Sequence, residues 1–141
     1  MNIDGSIVIN ELRPVVNNLI RYTETAEMDL FLQCYADIPQ FIAISGDGIV
    51  RNYSGPKAIC TDYYRSVNKQ VLTATRELFN VPGDTTVVVC WPGNIDASFK
   101  NGDAWKMRNY TVTLLYKKLD GEWKAIHSHE SALPPGRVKA V

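Results

Sequence analysis

The chain has 141 residues, about the length of one domain, and its hydrophobic content of 45% is ordinary for a globular protein. We therefore expect a single domain over residues 1–141. Basic and acidic residues number 15 each, so the chain lacks the basic excess that favours phosphate binding. The apolar runs are far shorter than the ~20 residues of a membrane helix. The composition predicts a soluble protein that binds neither nucleic acid nor a membrane.

The N-terminus and the cysteines indicate the compartment. Asp4 stands where a secretion signal would carry basic residues, and no apolar segment with a cleavage site follows. We therefore expect a cytoplasmic protein. Cys34, Cys60 and Cys90 are widely separated and form no Cys-x-x-Cys pair, which predicts buried thiols rather than disulfides or a zinc site. A nucleophilic role for one of them would need a base nearby in space.

Two helices are predicted at the start of the chain. The first is indicated by apolar residues spaced three and four apart, namely Val8, Leu12, Val15, Leu19 and Tyr22. Pro14 lacks the amide donor of an interior helical position, so this helix either begins near Asn10 or kinks at the proline. The second, shorter helix covers Asp29 to Tyr35 and ends before Pro39.

A hairpin and a third helix follow. The apolar stretch from Phe41 to Ser45 is separated from Ile49 by a Gly-Asp-Gly turn, which predicts a short hairpin. The sequence Ser54-Gly55-Pro56 is typical of a helix start. A stripe then indicates that the third helix runs to about Leu72; its members are Ile59, Tyr63, Val67 and Val71.

The second half of the chain changes to a period of two and is rich in threonine, valine and aromatic residues. Turn signals divide this half of the chain into strands. The predicted turns are residues 81–84, 92–94, 101–103 and 119–121. Helices followed by an antiparallel meander predict an α+β fold, with the three helices packed on one face of the sheet.

The strand from Trp105 to Tyr116 is apolar on both faces, which raises the question of what covers the face away from the helices. We assign an apolar row to that outer face, because period two places its members opposite the residues that face the helices. The row is Tyr110, Val112, Leu114 and Tyr116, and Ile126 lies beside it. We expect a second copy of the chain to cover it as a two-fold dimer. The alternative is that loops or the C-terminal tail cover this row.

The last strand carries the most specific chemistry in the sequence. Period two places Trp123, Ala125, His127, His129 and Ser131 on one face. A His-x-His pair can chelate a metal, but a catalytic zinc needs at least a third protein ligand and the chain has no other histidine. We therefore expect no metal and no cofactor. Histidine suits proton transfer at neutral pH, and His129 is the candidate acid or base.

The segment Asp120 to Ser131, preceded by Thr113 and Lys118, resembles the closing hairpin of SnoaL-like proteins in the nuclear transport factor 2-like superfamily. It is also similar to the association domain of calcium/calmodulin-dependent protein kinase II. The resemblance implies a cone, in which a strongly curved antiparallel sheet wraps around helices and leaves a pocket. It further implies a dimer formed through the back of the sheet.

The resemblance leaves the function open because this fold serves enzymes, binding proteins and assembly domains. Isomerase-like members place an aspartate base on the strand after the second helix, but the matching position here is Ala43, which argues against steroid-isomerase chemistry. The arginines of the association domain's anionic-ligand cluster are also not reproduced. Glu130 stands inside the His-x-His-x-Ser motif instead.

Three functional hypotheses follow. The leading one is a homodimer that binds a small apolar or mixed-polarity ligand. The second is a pocket enzyme of the cyclase, isomerase or dehydratase type that uses His129 as acid or base, and the third is an association module with a vestigial pocket. The predicted ligand-binding residues are His127, His129, Ser131, Tyr22, Tyr35, Tyr63, Asn109 and Thr111.

Overall fold

A computed structural model describes residues 4–132. Its helices are α1 (Gly5–Glu24), α2 (Met28–Gln33) and α3 (Ser54–Ser66). The Asp4 side chain caps α1 by accepting a hydrogen bond of 3.0 Å from the amide of Ser6. Because α1 already begins at Gly5 and continues through Pro14, it does not begin near Asn10. No helix within residues 4–132 has both the length and the apolar character to span a bilayer.

The strands are β1 (Ile42–Ile44), β2 (Val50–Arg51), β3 (Val67–Ala74), β4 (Leu78–Gly83), β5 (Thr86–Phe99), β6 (Ala104–Leu119) and β7 (Glu122–Ser131). Within the described residues they form one sheet in the order β2-β1-β7-β6-β5-β3, and β4 also pairs with β5. All neighbours are antiparallel except β1 and β7. The predicted α+β fold, with helices from the first half of the chain on a curved antiparallel sheet, is confirmed.

The third helix is shorter than predicted because its last turns form β3. Val67 and Val71 are four residues apart, a spacing that fits one turn of helix and also fits two steps along one face of a regular strand. In β3 a register shift between Val67 and Lys69 leaves Val67 buried and Val71 43% exposed. Both are β-branched, which favours the strand. The segment 92–94 also departs from its predicted role as a turn, since it lies inside the continuous strand β5.

Gly93 allows β5 to continue past β3. A Cβ atom at this position would lie 2.5 Å from the Thr73 carbonyl oxygen and 2.7 Å from a ring carbon of Trp91. Such distances are shorter than any van der Waals contact, so only glycine fits between the neighbouring strand and the indole. The glycine therefore marks a close backbone approach within the sheet rather than a chain reversal.

The core lies between α1 and the central strands. The inward side of α1 is buried through Val8, Leu12, Val16 and Leu19. It packs against inward residues of three strands, chiefly Val87, Val89, Leu114, Tyr116, Trp123 and Ala125. This packing fills one end of the space under the sheet.

Two β-bulges decide which side chains of β6 and β7 face the helices. In β6 the register shifts by one residue between Met107 and Tyr110, where Asn109 adopts a positive φ of 57°. In β7 the register shifts at Ile126, which has no partner on β6. Each extra residue exchanges the two faces of the strand beyond it, because side chains alternate with period two.

The predicted outward orientation of the apolar row is therefore wrong. Opposite β5, the inward residues Val87 and Val89 pair with Tyr116 and Leu114, which are themselves buried. Val112 and Tyr110 continue the same inward face. The assignment of this row to a dimer interface fails because these side chains face the helices. Ile126 lies in the second bulge and is half-buried.

Candidate functional site

A cavity of about 270 Å³ lies under the sheet, beyond the packed end of the core. All three helices contribute to its wall, through residues such as Leu19, Phe31 and Cys60. The sheet contributes inward residues of β1, β3, β5, β6 and β7. The cavity exists because α1 packs closely on one end of the curved sheet and the sheet continues past it.

Aromatic side chains form much of the wall; they are Phe31, Tyr35, Tyr53, Tyr63, Tyr64, Trp91 and Tyr110. They hold each other in place through tilted and edge-to-face contacts. The ring centroids of Phe31 and Tyr35 are 5.1 Å apart, and those of Phe31 and Tyr64 are 5.3 Å apart. The Trp91 and Tyr110 centroids are separated by 6.3 Å. Such pairs are stabilising beyond the area they bury, and they give the cavity a rigid wall.

Several polar groups of the wall have protein partners. The Tyr63 hydroxyl donates to Oε1 of Gln70 at 2.9 Å, and the Gln70 amide donates to the Thr23 carbonyl. The Tyr53 hydroxyl donates to the carbonyl of Leu32 at 3.1 Å. These hydrogen bonds hold the helices in position relative to the sheet. The donors that make them are therefore already engaged within the protein.

Glu130 supplies the charge in this cavity. Its position opposite Val112 on β6 turns its side chain inward. Burial raises the pKa of this carboxyl above its ordinary value of 4.5, the neighbouring Tyr110 hydroxyl lowers it in part, and the charge of Asp47 raises it further. Within residues 4–132, no lysine, arginine or histidine forms an ion pair with Glu130.

The other titratable groups of the wall stay neutral at physiological pH. Burial raises the pKa of the Cys60 thiol to about 12 and that of the Tyr63 hydroxyl to about 12, and the Glu130 charge adds to both effects. Because the thiolate is the nucleophilic form of cysteine, Cys60 is poorly suited to attack a substrate. The free, partly or fully buried thiols agree with the predicted role of the cysteines as small packing residues.

The predicted histidine site does not line the cavity. His127 and His129 pair with Leu115 and Thr113, on the face of β6 and β7 away from the helices, and His129 is exposed. Ser131 is also exposed on that side. The bulge at Ile126 is the physical reason, since it moves Ser128 and Glu130 to the inward positions. The prediction of a pocket beneath His129 is therefore wrong.

The other predicted ligand residues divide between the two faces. Tyr35 and Tyr63 lie in the cavity wall, where ligand contact stays a prediction. Tyr22 packs beside the core, with the Arg21 guanidinium 5.0 Å from its ring centroid, and does not line the cavity. Asn109 is exposed in the β6 bulge, and Thr111 faces outward opposite Pro92. Neither contributes to the cavity wall.

Sequence reasoning missed Glu130 as a site residue because it carried period two through the whole last strand without a bulge. Near the turn the pairs are regular, with Leu119 opposite Glu122 and Tyr116 opposite Ala125. Continued without a bulge, this count places His129 opposite Val112, and the bulge places Glu130 there instead. A carboxyl group in a mainly apolar cavity wall is the consequence.

The comparison with known proteins defines the family. The model of the SnoaL-like domain matches residues 12–135. The chain belongs to the SnoaL-like domain family. A search of curated proteins finds no match.

Solved structures with this fold cover most of this SnoaL-like chain. A nuclear transport factor 2-like superfamily protein from Salmonella enterica is 19% identical over 97% of this chain and 99% of its own, with a TM-score of 0.79. A candidate calcium/calmodulin dependent protein kinase II association domain from Xanthomonas campestris is 19% identical over 88% of this chain and 86% of its own, with a TM-score of 0.70. A hexachlorocyclohexane dehydrochlorinase is 9% identical over 92% of both chains, with a TM-score of 0.73. At these identities the likeness establishes the fold alone.

The arrangement is suited to noncovalent binding or proton transfer. Among the residues that the structure describes, no three His, Cys, Asp or Glu side chains are grouped closely enough to hold a metal ion. The cavity instead combines an aromatic wall with one carboxyl group and a neighbouring phenol.

Proposed function

We propose that this SnoaL-like protein binds a small, mainly apolar molecule in the cavity and holds a polar group of that molecule against Glu130. The observation that carries the proposal is the combination of an aromatic wall with a half-buried, inward-facing carboxyl that has no ion-pair partner within residues 4–132. Ligand sites typically join an apolar lining to a few convergent polar groups. The volume favours a ligand at the small end of the usual range of about 300–1,000 Å³.

A thermal-shift screen of small apolar compounds tests this proposal, together with a variant that fills the cavity. Ala43 lines the wall and is 5% exposed, so Ala43→Leu should occupy part of the ligand volume. The matched control is Ala58→Leu, which adds the same atoms at an exposed position of α3. A ligand at 100 times its dissociation constant should stabilise the wild type and the control by about 2.7 kcal/mol. A hit that Ala43→Leu binds equally well, or the lack of any hit in a broad library, would contradict cavity binding.

The carboxyl also supports proton-transfer catalysis as a second candidate. A general base works best when its pKa lies near the working pH, and the pKa of Glu130 is raised in that direction. The Tyr110 hydroxyl beside it is a donor that could stabilise a developing oxyanion. One structural neighbour is a dehydrochlorinase, so the fold is compatible with an enzyme. This candidate moves the acid or base role from His129 to Glu130.

A screen of carbonyl and halogenated compounds tests the second candidate. Glu130→Gln keeps the size of the side chain and removes the base, so it should lower kcat by about 100-fold or more if Glu130 transfers the proton. His129→Gln is the matched control, because His129 lies on the outer face. Full activity in Glu130→Gln, or loss of activity only in His129→Gln, would exclude the base role of Glu130.

We further propose a homodimer through the outer face of the sheet. Half-buried apolar side chains on that face support it; they are Val88 and Cys90 on β5 and Leu115 on β6, with the exposed Ile42 nearby on β1. A two-fold interface brings the same patch of both copies together. This surface replaces the Tyr110 to Tyr116 row as the interface.

Sedimentation measurements test the dimer. Leu115→Glu places a charge in the centre of this face and should shift the protein to a monomer. Leu30→Glu makes the same change at an exposed position of α2, outside the sheet, and as the control it should leave the dimer intact. Monomeric wild-type protein at micromolar concentration would exclude the proposal. Larger assemblies together with an empty screen would favour the association-module hypothesis.

A further inference from the structure

The cavity wall holds an acidic side chain and no basic one among the described residues. No lysine, arginine or histidine is among the residues that line it, so an ionised Glu130 gives the described wall a negative charge. Asp47, in the turn between β1 and β2, acts on Glu130 in the same direction. A carboxylate taken out of water without a partner is costly, and a ligand that supplies a positive charge would relieve that cost.

The aromatic rings of the wall also favour a positively charged ligand. Tyr35, Tyr63, Tyr64 and Tyr110 line the same cavity as Glu130. The faces of aromatic rings carry partial negative charge and attract ammonium groups. An anion would meet repulsion from both the carboxylate and the ring faces, and a neutral ligand would leave the carboxylate uncompensated.

We propose that the ligand is a small apolar amine bound as its ammonium cation, with Glu130 as counter-ion and the tyrosine rings around the cation. This assignment rests on the proposed function, because it specifies the chemistry of the molecule in the same cavity. The ammonium group donates hydrogen bonds to the carboxylate, and such charge-assisted bonds are about twice as strong as neutral ones. The apolar body of the amine then packs on the aromatic wall.

Calorimetric titration with three matched probes tests the charge preference. Benzylamine is a cation at neutral pH, benzyl alcohol is neutral and of similar size, and benzoate is an anion. We expect benzylamine to bind about tenfold or more tightly than benzyl alcohol, because the ammonium adds an opposite charge to the hydrogen bond that either probe can donate to the carboxylate. Benzoate should bind more weakly than either probe.

Glu130→Gln tests whether the carboxylate is the source of the preference. This variant should lose the advantage of benzylamine over benzyl alcohol. Glu122→Gln is the matched control, since Glu122 lies on the same strand with its side chain 75% exposed. It should bind all three probes as the wild type does. The wild-type comparison of amine with alcohol is informative even if Glu130→Gln folds poorly.

The outcomes separate this assignment from the proposed function. Equal binding of amine and alcohol by the wild type, preference for benzoate, or an amine preference retained in Glu130→Gln would overturn the ammonium assignment and leave cavity binding in place. Failure of all three probes, together with the empty library screen described above, would overturn both. Amine binding that persists in Ala43→Leu would place the site outside the cavity and would also overturn the assignment.

Discussion

Replacement of Glu130 by glutamine should stabilise this protein, and the gain should grow with pH. Burial keeps the pKa of the carboxyl above 4.5 in the folded state, whereas the unfolded chain titrates near the ordinary value. The groups around it are Tyr35, Tyr63, Tyr64, Tyr110 and Cys60, all neutral at physiological pH, and the more distant Asp47. None of them supplies a positive charge to offset the burial.

The sign follows from proton linkage. Below pH 4.5 both states carry the proton, and the stabilising contribution of the raised pKa is fully present. Between 4.5 and the raised pKa the folded protein keeps a proton that the unfolded chain has lost, so stability falls as pH rises. One proton changes the free energy of unfolding by at most about 1.4 kcal/mol per pH unit. Above the pKa of the folded state the stabilising contribution is completely lost, and the contribution of Glu130 to the free energy of unfolding no longer changes with pH.

Urea unfolding of wild type and Glu130→Gln from about pH 4 to pH 8 measures this effect. Asp4, Glu11 and Asp47 have lowered pKa values that act in the opposite direction in both proteins, so the difference between the two curves isolates Glu130. Glu122→Gln serves as the exposed control and should follow the wild type. A difference that is independent of pH, or one in which the wild type gains on the variant as pH rises, would refute the buried, unpaired state of Glu130.

Three further substitutions test the packing around the cavity. Tyr116→Phe should raise the free energy of unfolding by about 1 kcal/mol, because the fully buried Tyr116 hydroxyl has no hydrogen-bond partner among the described residues; lower stability would reveal one. Tyr63→Phe should lower the free energy of unfolding by about 1 kcal/mol, since it removes the 2.9 Å hydrogen bond to Gln70. A variant as stable as the wild type would contradict that hydrogen bond. Gly93→Ala should lower stability by about 1–3 kcal/mol through its clash with the Thr73 carbonyl, and a thermal melt unchanged from the wild type would argue against the close approach.

The first helix and the last hairpin turn could be predicted because each depends on residues close together in the chain. The apolar stripe of α1 is the face that is buried, and Asp120-Gly121 forms the expected hairpin turn, with positive φ at both residues. The start of β3 could not be predicted in this way. A valine pair four residues apart satisfies both periods, and only the pairing of β3 with β5 selects the strand.

The bulge in β6 can be predicted from the sequence pattern, whereas the bulge in β7 cannot. In β6 the apolar residues change from odd to even positions across Asn109, as Trp105 and Met107 give way to Tyr110 and Val112, and asparagine tolerates the positive φ that the bulge needs. That change of phase predicts a bulge if apolar residues are taken as inward throughout.

In β7 the same rule fails because the residues that face inward past the bulge are polar. Ser128 and Glu130 lie toward the cavity, while the outward positions hold two histidines, so hydropathy favours neither register. A packed core would have required apolar side chains at those inward positions, whereas here they place a hydroxyl and a carboxyl group in the cavity wall. The position at which binary patterning breaks down is thus also the position that carries the proposed chemistry, as is expected where function competes with packing.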